Sequence, residues 1–316
     1  MSRRTLVVGT RGSALALWQA RLVRARLPGP SEEAVIRTSG DLFADRPLAD
    51  SRNVGFFTKE IEERLLDLRI DAAVHSLKDL PTALAPGLAI AAHLPREAPG
   101  DVLLVRPDLV DEARPIPLAD GARVGASSLR RQALLAMHAP WAAARPVRGN
   151  VPTRVAKAVA GACDALILAR AGLSRLGLDV APLLAFDLNP TRWVGAPGQG
   201  VIVVEARADD AEAIARIALL DDPEARAAAG AEREQLATFG GGCHAPLGAY
   251  ARRLDGGGAE LYVACPGAAG FGIARFAAAG LDAVRTAAKD WHAAGRPPRG
   301  SDEEEPWLCR PAQPWC

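Results

Sequence analysis

Short apolar runs alternate with longer amphipathic stretches through the first two thirds of this chain. Runs of this kind are typical of buried strands, and apolar residues at helical spacing are typical of amphipathic helices. The predicted strands are Thr5–Val8, Ala34–Ile36, Asp71–Val74, Val102–Val105, Arg123–Gly125, Pro146–Val147, Ala165–Leu168 and Val201–Glu205. The predicted helices are Ala14–Leu27, Lys59–Leu68, Leu129–Met137, Thr153–Ala160 and Ala211–Leu220. This alternation predicts an α/β fold with a mostly parallel sheet.

Clusters of proline and glycine interrupt the pattern at Pro95–Gly100, Gly195–Gly200 and Asp221–Pro223. Such clusters mark domain boundaries, and a chain of 316 residues is longer than one core usually becomes. We therefore expect three domains. In the third, strand-like runs within Ala249–Phe276 precede a predicted helix at Leu281–Ala294, which indicates a small α+β domain.

The final stretch, Arg296–Cys316, combines a proline-rich start, an acidic run and a second proline-rich segment. It carries no pattern capable of forming a core. We expect a poorly ordered tail, and we expect deletion of Ser301–Cys316 to leave activity largely intact.

Composition narrows the range of partners. Charged residues make up 24% of the chain but the net charge is only +1, so there is no global field to attract nucleic acid or an anionic membrane. A small-molecule partner is expected. No apolar run is long enough to span a bilayer, and the basic start lacks the apolar stretch of a secretory signal, so we expect a cytoplasmic protein. The five cysteines are odd in number and lack metal-ligand spacing, which argues against a disulfide framework and a metal site.

Arginine supplies 34 of the 38 basic residues, and several arginines fall where anions bind. Arg11 and Ser13 lie between a predicted strand and helix, where free backbone N–H groups and the helix dipole attract an anion. The alternative is that Ser13 is only a helix cap and Arg11 only a solvated charge. The same pattern recurs at two later strand ends, with the candidate residues Ser127, Ser128, Arg130, Arg131, Arg148, Gly149 and Arg154. Recurrence at strand ends of an α/β sheet predicts a ligand with several negative charges.

A polar turn follows the predicted strand Asp71–Val74. His75 is expected to be a structural histidine, and Ser76 lacks the flanking glycines of a nucleophile elbow. Lys78 and Asp79 are adjacent and charged at the strand end, so a carboxylate that stabilises a developing cation is plausible there, with a loop ion pair as the alternative.

Three glycines precede Cys243 and leave its thiol accessible to a bulky group. A redox or structural cysteine stays open as an alternative, and His244 is adjacent in sequence without being shown to contact it. The glycine-rich Gly195–Gly200 precedes a strand instead of joining strand to helix, so it is not a nucleotide-binding loop and fits a hinge or domain crossing better.

Together, eight segments resemble the hydroxymethylbilane synthase (porphobilinogen deaminase) family over roughly residues 5–250. They are GTRGSALALWQA (9–20), GFFTKEIE (55–62), DAAVHSLKDLPT (71–82), GASSLRRQ (125–132), VRGNVPTR (147–154), DALILARAGLSRLGL (164–178), GQG (198–200) and GGGCHAPLGAYA (240–251). The resemblance implies two lobes like those of type II periplasmic binding proteins, with the chain crossing twice, plus a small α+β C-terminal domain. The implied domains are residues 1–97 with 197–220, residues 98–196 and residues 221–295, followed by a tail at 296–316.

The resemblance also implies the chemistry. Four porphobilinogen molecules lose ammonia in turn and join head to tail, on a dipyrromethane cofactor attached to Cys243 through a thioether. Asp79 matches the catalytic aspartate. The implied cofactor-binding residues are Lys78, Ser127, Ser128, Arg130, Arg131, Arg148 and Gly149, and the implied substrate-binding residues are Arg11, Ser13, Gln19, Lys59, Arg154 and Gln199. A monomer without metal is expected.

Two positions depart from the family pattern: Val54 and Ala126 stand where a lysine and a threonine are usual. Loss of those contacts is expected to weaken substrate binding without ending catalysis. The alternatives are a non-catalytic relative that binds an acidic small molecule and a divergent enzyme that makes another pyrrole product.

Overall fold

The chain divides into two units, Met1–Glu97 with Val201–Ala227 and Ala98–Gly200 with Ala228–Cys316. The computed structural model describes residues 4–38, 58–239, 246–267, 270–295 and 306–309. The chain passes between the units three times: next to Ala98 and next to Gly200, at the proline and glycine clusters noted above, and again between Ala227 and Ala228. The second unit contains the predicted second domain and most of the predicted third, and the three-domain division stays a prediction.

The first unit is built on a five-stranded sheet in the order β2-β1-β3-β10-β4. Its strands are β1 (Leu6–Arg11), β2 (Ser31–Ile36), β3 (Ala72–Ser76), β4 (Leu88–His93) and β10 (Ile202–Arg207). Its helices are α1 (Ala14–Arg26), α2 (Lys59–Leu66) and α6 (Ala211–Ile217). Every residue of β10 is buried, because this strand lies between two neighbours and is covered on both faces.

The second unit repeats this strand order in a sheet arranged β7-β6-β8-β5-β9. Its strands are β5 (Asp101–Val105), β6 (Arg123–Gly125), β7 (Ala143–Arg145), β8 (Ala165–Ala169) and β9 (Leu184–Asp187). Its helices are α3 (Leu129–His138), α4 (Val151–Val159) and α5 (Arg170–Leu176). This order, with one antiparallel strand next to the edge, is that of type II periplasmic-binding-protein lobes, so the predicted fold class is confirmed for both lobes.

A three-stranded antiparallel sheet and a helix form the C-terminal part of the second unit. The strands β11 (Gly248–Arg253), β12 (Ala259–Gly267) and β13 (Gly270–Ala278) pair in sequence order, and α8 (Leu281–Ala293) packs on them. The long helix α7 (Pro223–Thr238) precedes this sheet. The small α+β segment expected from sequence is confirmed.

Several local predictions need correction. Each five-stranded sheet is mostly parallel, as predicted, but one strand, β10 in the first unit and β5 in the second, runs antiparallel to both of its neighbours. The strand predicted at Pro146–Val147 lies earlier, at Ala143–Arg145, where the chain can donate to its partner. The sequence pattern missed β4, β9, α5 and α7.

Residues 306–309 of the expected tail are hydrogen-bonded to the rest of the second unit. The expectation that the tail is poorly ordered stays a prediction. Among the described residues, no helix is both long and apolar enough to cross a membrane.

Candidate functional site

In the first unit, Asp79 is presented on a short turn at the end of β3. Leu77–Asp79 form one 3₁₀ turn, whose buried Leu77 donates its N–H to the carbonyl of Val201 at 3.0 Å. Leu80 is also buried and closes the turn by donating to the carbonyl of Leu77. The turn is therefore anchored on both sides, while Asp79 is exposed and Lys78 is partly buried.

Three further predicted residues lie on β1 and α1 of this unit. Arg11 ends β1 and is partly buried. Ser13 caps α1, because its hydroxyl accepts the N–H of Ala16 at 3.3 Å. Gln19 is buried and donates to the hydroxyl of Ser76 at 2.9 Å. Gln19 thus ties α1 to the strand that leads to Asp79, so its position indicates a supporting contact.

Lys59 begins α2, is exposed, and lies 3.9 Å from Glu63 in an ion pair one turn along the helix. The preceding segment with Val54 lies outside the described residues. His75 is buried opposite Glu205, with 3.4 Å between Nε2 and Oε2, as expected for a structural histidine.

In the second unit, two serines lie between β6 and α3. The hydroxyl of Ser127 donates to the carbonyl of Val147 and accepts the N–H of the same residue, at 2.9 and 3.0 Å. It therefore joins this turn to the segment after β7. Ser128 stands at the start of α3, and its hydroxyl makes no capping hydrogen bond. Ala126 donates its N–H to the carbonyl of Arg145 at 2.8 Å, an interaction that needs no threonine hydroxyl.

The start of α4 gathers two arginines around a glycine. Gly149 has a φ of +116°, and a Cβ there would lie 2.8 Å from Cγ2 of Thr153, so only glycine fits this turn. Its carbonyl accepts Nε of Arg154 at 2.6 Å. The side chain of Asn150 caps α4 by accepting the N–H of Thr153. Arg148 and Arg154 are both partly buried at this helix start, an arrangement suited to carboxylates.

Arg130 and Arg131 point inward and share one carboxylate, Asp101. Arg131 contacts both oxygens of Asp101, at 3.0 Å from Nε and 2.8 Å from Nη2, in a two-point pair. Arg130 donates to the same carboxylate at 3.1 Å and to the carbonyl of Val194 at 2.7 Å. Both arginines are more than nine-tenths buried. The structure thus gives both arginines an internal role, the binding of Asp101. Their direct contact with a ligand stays a prediction from the sequence.

Two more side chains complete the network around Asp101. Gln199 is buried and donates to the carbonyls of Pro99 and Gly100 and to Asp101 at 2.9 Å. The indole of Trp193 donates to Asp101 at 3.1 Å. Gln199 is predicted to bind substrate. In the structure its amide nitrogen instead donates to three acceptors of the protein, which gives Gln199 a role in holding this network together.

Electrostatics support a permanently charged Asp101. Burial alone raises the pKa of a carboxyl, but the charges of Arg131 and Arg130, with hydrogen bonds from Arg131 and Gln199, outweigh it and hold the pKa of Asp101 well below its usual range. Sequence reasoning missed Asp101 and Trp193. The available signal was an acidic residue immediately after the cluster Pro95–Gly100, at the first position of a fully buried strand.

Cys243 lies outside the described residues, but the chain on both sides of it is fixed. On one side, Phe239 packs edge-on against His292, with ring centroids 4.2 Å apart. On the other, Ala249 donates its N–H to the carbonyl of Gly195 at 3.0 Å. Burial raises the pKa of Cys163 and raises that of Cys265 to about 12, so neither supplies a thiolate at neutral pH.

Among the described residues, no group of three or more histidine, cysteine, aspartate or glutamate side chains is arranged to hold a metal ion. Within each unit the basic residues are suited to binding carboxylates, and in the first unit the carboxylate of Asp79 is suited to stabilising positive charge.

Comparison with known proteins agrees with this chemistry. The family model described as porphobilinogen deaminase, dipyromethane cofactor binding domain, matches residues 6–215. The porphobilinogen deaminase of Roseiflexus sp. (strain RS-1) is 47% identical over 259 residues, covering 80% of this chain and 83% of that protein. The porphobilinogen deaminase of Desulforudis audaxviator is also 47% identical, covering 80% and 82%.

Among solved structures, an ABC transporter from Parabacteroides distasonis gives a TM-score of 0.41 at 13% identity, covering 67% of this chain and 68% of that one. An overlap this low carries no functional information.

The family match extends from β1 to α6 and includes Asp79, the serines of the β6–α3 turn and the arginines at the start of α4. The chain belongs to the porphobilinogen deaminase family.

Proposed function

We propose that this chain condenses four porphobilinogen molecules head to tail, with loss of one ammonia from each, and that water then releases linear hydroxymethylbilane, with Asp79 as the catalytic residue. Family membership at this identity and coverage supports the reaction. The observation that carries the role of Asp79 is its placement as an exposed carboxylate on a turn anchored by buried Leu77 and Leu80.

Asp79 acts electrostatically. Positive charge develops on the pyrrole as ammonia leaves, and a carboxylate held on a rigid turn stabilises that charge without reorganising. The same carboxylate accepts hydrogen bonds from pyrrole N–H groups. Lys78, adjacent on the turn, offers a positive charge to the acidic side chains of the substrate.

The carboxylates of porphobilinogen are bound by the exposed and half-buried basic residues. Each porphobilinogen carries an acetate and a propionate, so every added ring brings two more negative charges. Arg11 and Lys59 in the first unit and Arg148 and Arg154 in the second have the position and exposure to bind them. Ser128 adds a hydroxyl at a helix start, where backbone N–H groups favour an anion.

The residues of the chain fit a covalently held dipyrromethane, which the family implies. Its carboxylates match the donor set at the start of α4, where Arg148 and Arg154 are partly buried on either side of the turn at Gly149. Cys243 is the proposed attachment point because it matches the cofactor cysteine of the family; of the described cysteines, Cys163 and Cys265 are buried and Cys309 is partly exposed. Once bound, the dipyrromethane supplies a fixed primer to which substrate units are added.

We place this activity in a cytoplasmic monomer. Cys163 and Cys265 are buried free thiols, the state favoured by a reducing compartment. Sedimentation velocity at micromolar concentration tests the monomer, and a concentration-dependent shift to a heavier species would contradict it.

Replacing Asp79 tests the proposed function. Asp79→Asn keeps the shape but removes the charge, so we expect porphobilinogen consumption to fall on the order of a hundredfold or more. Asp67→Asn is the matched control, because Asp67 is an exposed carboxyl at the end of α2 in the same unit, and it should turn over normally. Near-normal turnover of Asp79→Asn, with hydroxymethylbilane formed, would refute the role of Asp79. The activity itself would be refuted if the native chain had its unmodified mass, bound porphobilinogen and formed no product, and if Asp79→Asn behaved in the same way.

A further inference from the structure

The segment 306–309 lies along the chain that leaves β9, the edge strand of the second unit's five-stranded sheet. Cys309 donates its N–H to the carbonyl of Asp187 at 2.9 Å, and Asn189 donates its N–H to the carbonyl of Trp307 at 3.0 Å. Leu188 and Leu308 form an antiparallel bridge between these two hydrogen bonds. The segment therefore pairs as a short added strand would.

Side chains of the two partners strengthen this pairing. The amide of Asn189 donates to the carbonyl of Pro306 at 2.8 Å, and its oxygen accepts the N–H of Thr191. One asparagine thereby holds both its own turn and the C-terminal segment. The pairing covers the sheet edge at Asp187, the last residue of β9, and the chain that follows it.

Trp307 anchors the segment between two basic side chains. Its ring meets the ring of His138 edge-on, with centroids 4.5 Å apart, and the guanidinium of Arg192 lies 4.1 Å from its centroid. An indole between an imidazole and a guanidinium combines apolar burial with a cation–π contact. This slot on the second unit is specific for an aromatic ring at the end of an extended segment.

The residues that the segment contacts lead directly to the network around Asp101. Trp193 follows Arg192 in sequence and donates its indole N–H to Asp101. Val194 accepts a hydrogen bond from Arg130 through its carbonyl. Trp193 also donates its backbone N–H to the carbonyl of Asn189 at 2.7 Å. A change at Asn189 or Arg192 is therefore transmitted to Arg130 through a short chain of contacts.

We propose that the edge of β9, with the slot formed by His138 and Arg192, is a docking surface whose occupant is this chain's own segment 306–309. The docked segment acts as a clasp: it pairs with the chain where β9 ends and fixes residues 187–194, which hold Asp101 and Arg130. This assigns a role to a tail that sequence patterns predict to be dispensable. The structural part of the proposal is independent of the catalytic activity, and only its effect on turnover rests on the proposed function.

Two truncations of the full chain test the clasp. Ending the chain after Glu305 removes the docked segment, whereas ending it after Arg310 keeps residues 306–309 and serves as the control. We expect the shorter chain to exchange the amide proton of Asn189 about tenfold faster, since one hydrogen bond and its cover are lost. We expect the control to match the full chain. Equal exchange at Asn189 in both truncations would overturn the proposal.

Substitutions at Trp307 test the slot without shortening the chain. Trp307→Ala should release the segment and expose His138 to solvent, seen as a changed NMR titration of its ring, while Trp307→Phe should largely keep the native titration. A synthetic peptide covering residues 304–316 should bind the chain that ends at Glu305 and restore slow exchange at Asn189. Failure of that peptide to bind at millimolar concentration would contradict the docking surface. Protection that appears in the full chain only at high protein concentration would show a second copy as the occupant and would also contradict the proposal.

Slower porphobilinogen turnover in the chain ending at Glu305, with normal turnover in the control, is the functional result expected. If both truncations lack activity but still differ at Asn189, the clasp stands and the proposed activity fails. If both are active and alike at Asn189, the activity stands and the clasp fails.

Discussion

Asp101 holds the buried side chains of Arg130 and Arg131 in the second unit. It is fully buried and accepts hydrogen bonds from Arg130, Arg131, Gln199 and Trp193. Removing one partner of a buried ion pair leaves uncompensated charge, which costs more than the pair itself contributes.

We therefore predict that Asp101→Asn lowers the free energy of unfolding by roughly 3 to 5 kcal/mol. Asp108→Asn is the control, because Asp108 pairs with Arg106 at the surface with more than half of its side chain exposed, and such pairs contribute about 1 kcal/mol or less. Urea unfolding followed by tryptophan fluorescence measures both variants, since Trp193 reports on the site. Equal midpoints for the two variants would show that the network contributes little.

The same residues show what local sequence can predict. Positions at strand ends and helix starts, such as Asp79, Ser13 and Arg148, follow from local patterns, because turns and caps are local. The inward direction of Arg130 and Arg131 depends on Asp101, which lies far away in sequence and reaches them only through strand pairing. Their roles in ligand binding, like that of Cys243, stay predictions.

At the scale of elements, the sequence pattern predicts buried strands and helices best. β3 and β8 are short apolar runs buried on both faces, and α3 has clear helical spacing. The short β9 was missed because two of its four residues are exposed, as befits an edge strand, and α5 because it has only seven residues and contains glycine. The antiparallel direction of β5 and β10 is a tertiary property that no apolar run encodes.

His138, at the end of α3, contacts Trp307 of the clasp, and its titration predicts that the free energy of unfolding depends on pH. Burial lowers the pKa of His138 to about 4; the charge of Arg192 lowers it further, while a backbone hydrogen bond at Arg192 opposes the shift. The folded state thus binds a proton at His138 less readily than the unfolded state, whose value is about 6.5. Stability from this group is complete above about pH 6.5 and is lost as the pH falls towards 4.

We expect this group to remove on the order of 3 kcal/mol of stability between about pH 6.5 and 4, as the conversion of the pKa shift gives. The measurement is the difference in unfolding free energy between the native chain and His138→Gln across that range. Glutamine does not titrate, so carboxyl groups shared by both chains cancel in the difference. A difference that is constant with pH would contradict the assignment.

At the scale of the whole molecule, two units with the same strand order carry different parts of the proposed chemistry. The first unit presents Asp79 and the second presents the arginines at the start of α4. The described chain fixes both flanks of the segment that contains Cys243. Under the proposed function, a group attached covalently to that cysteine stabilises the folded state through contacts that only the folded chain can make.

Intact-protein mass spectrometry tests the central claim most directly. A chain purified from a host that makes porphobilinogen should be heavier than its sequence by two porphobilinogens less two ammonias. Cys243→Ser should have the unmodified mass, because a hydroxyl is a far poorer nucleophile than a thiolate at neutral pH, whereas Cys309→Ser should keep the added mass. A native chain of unmodified mass, or an adduct that persists in Cys243→Ser, would contradict this account.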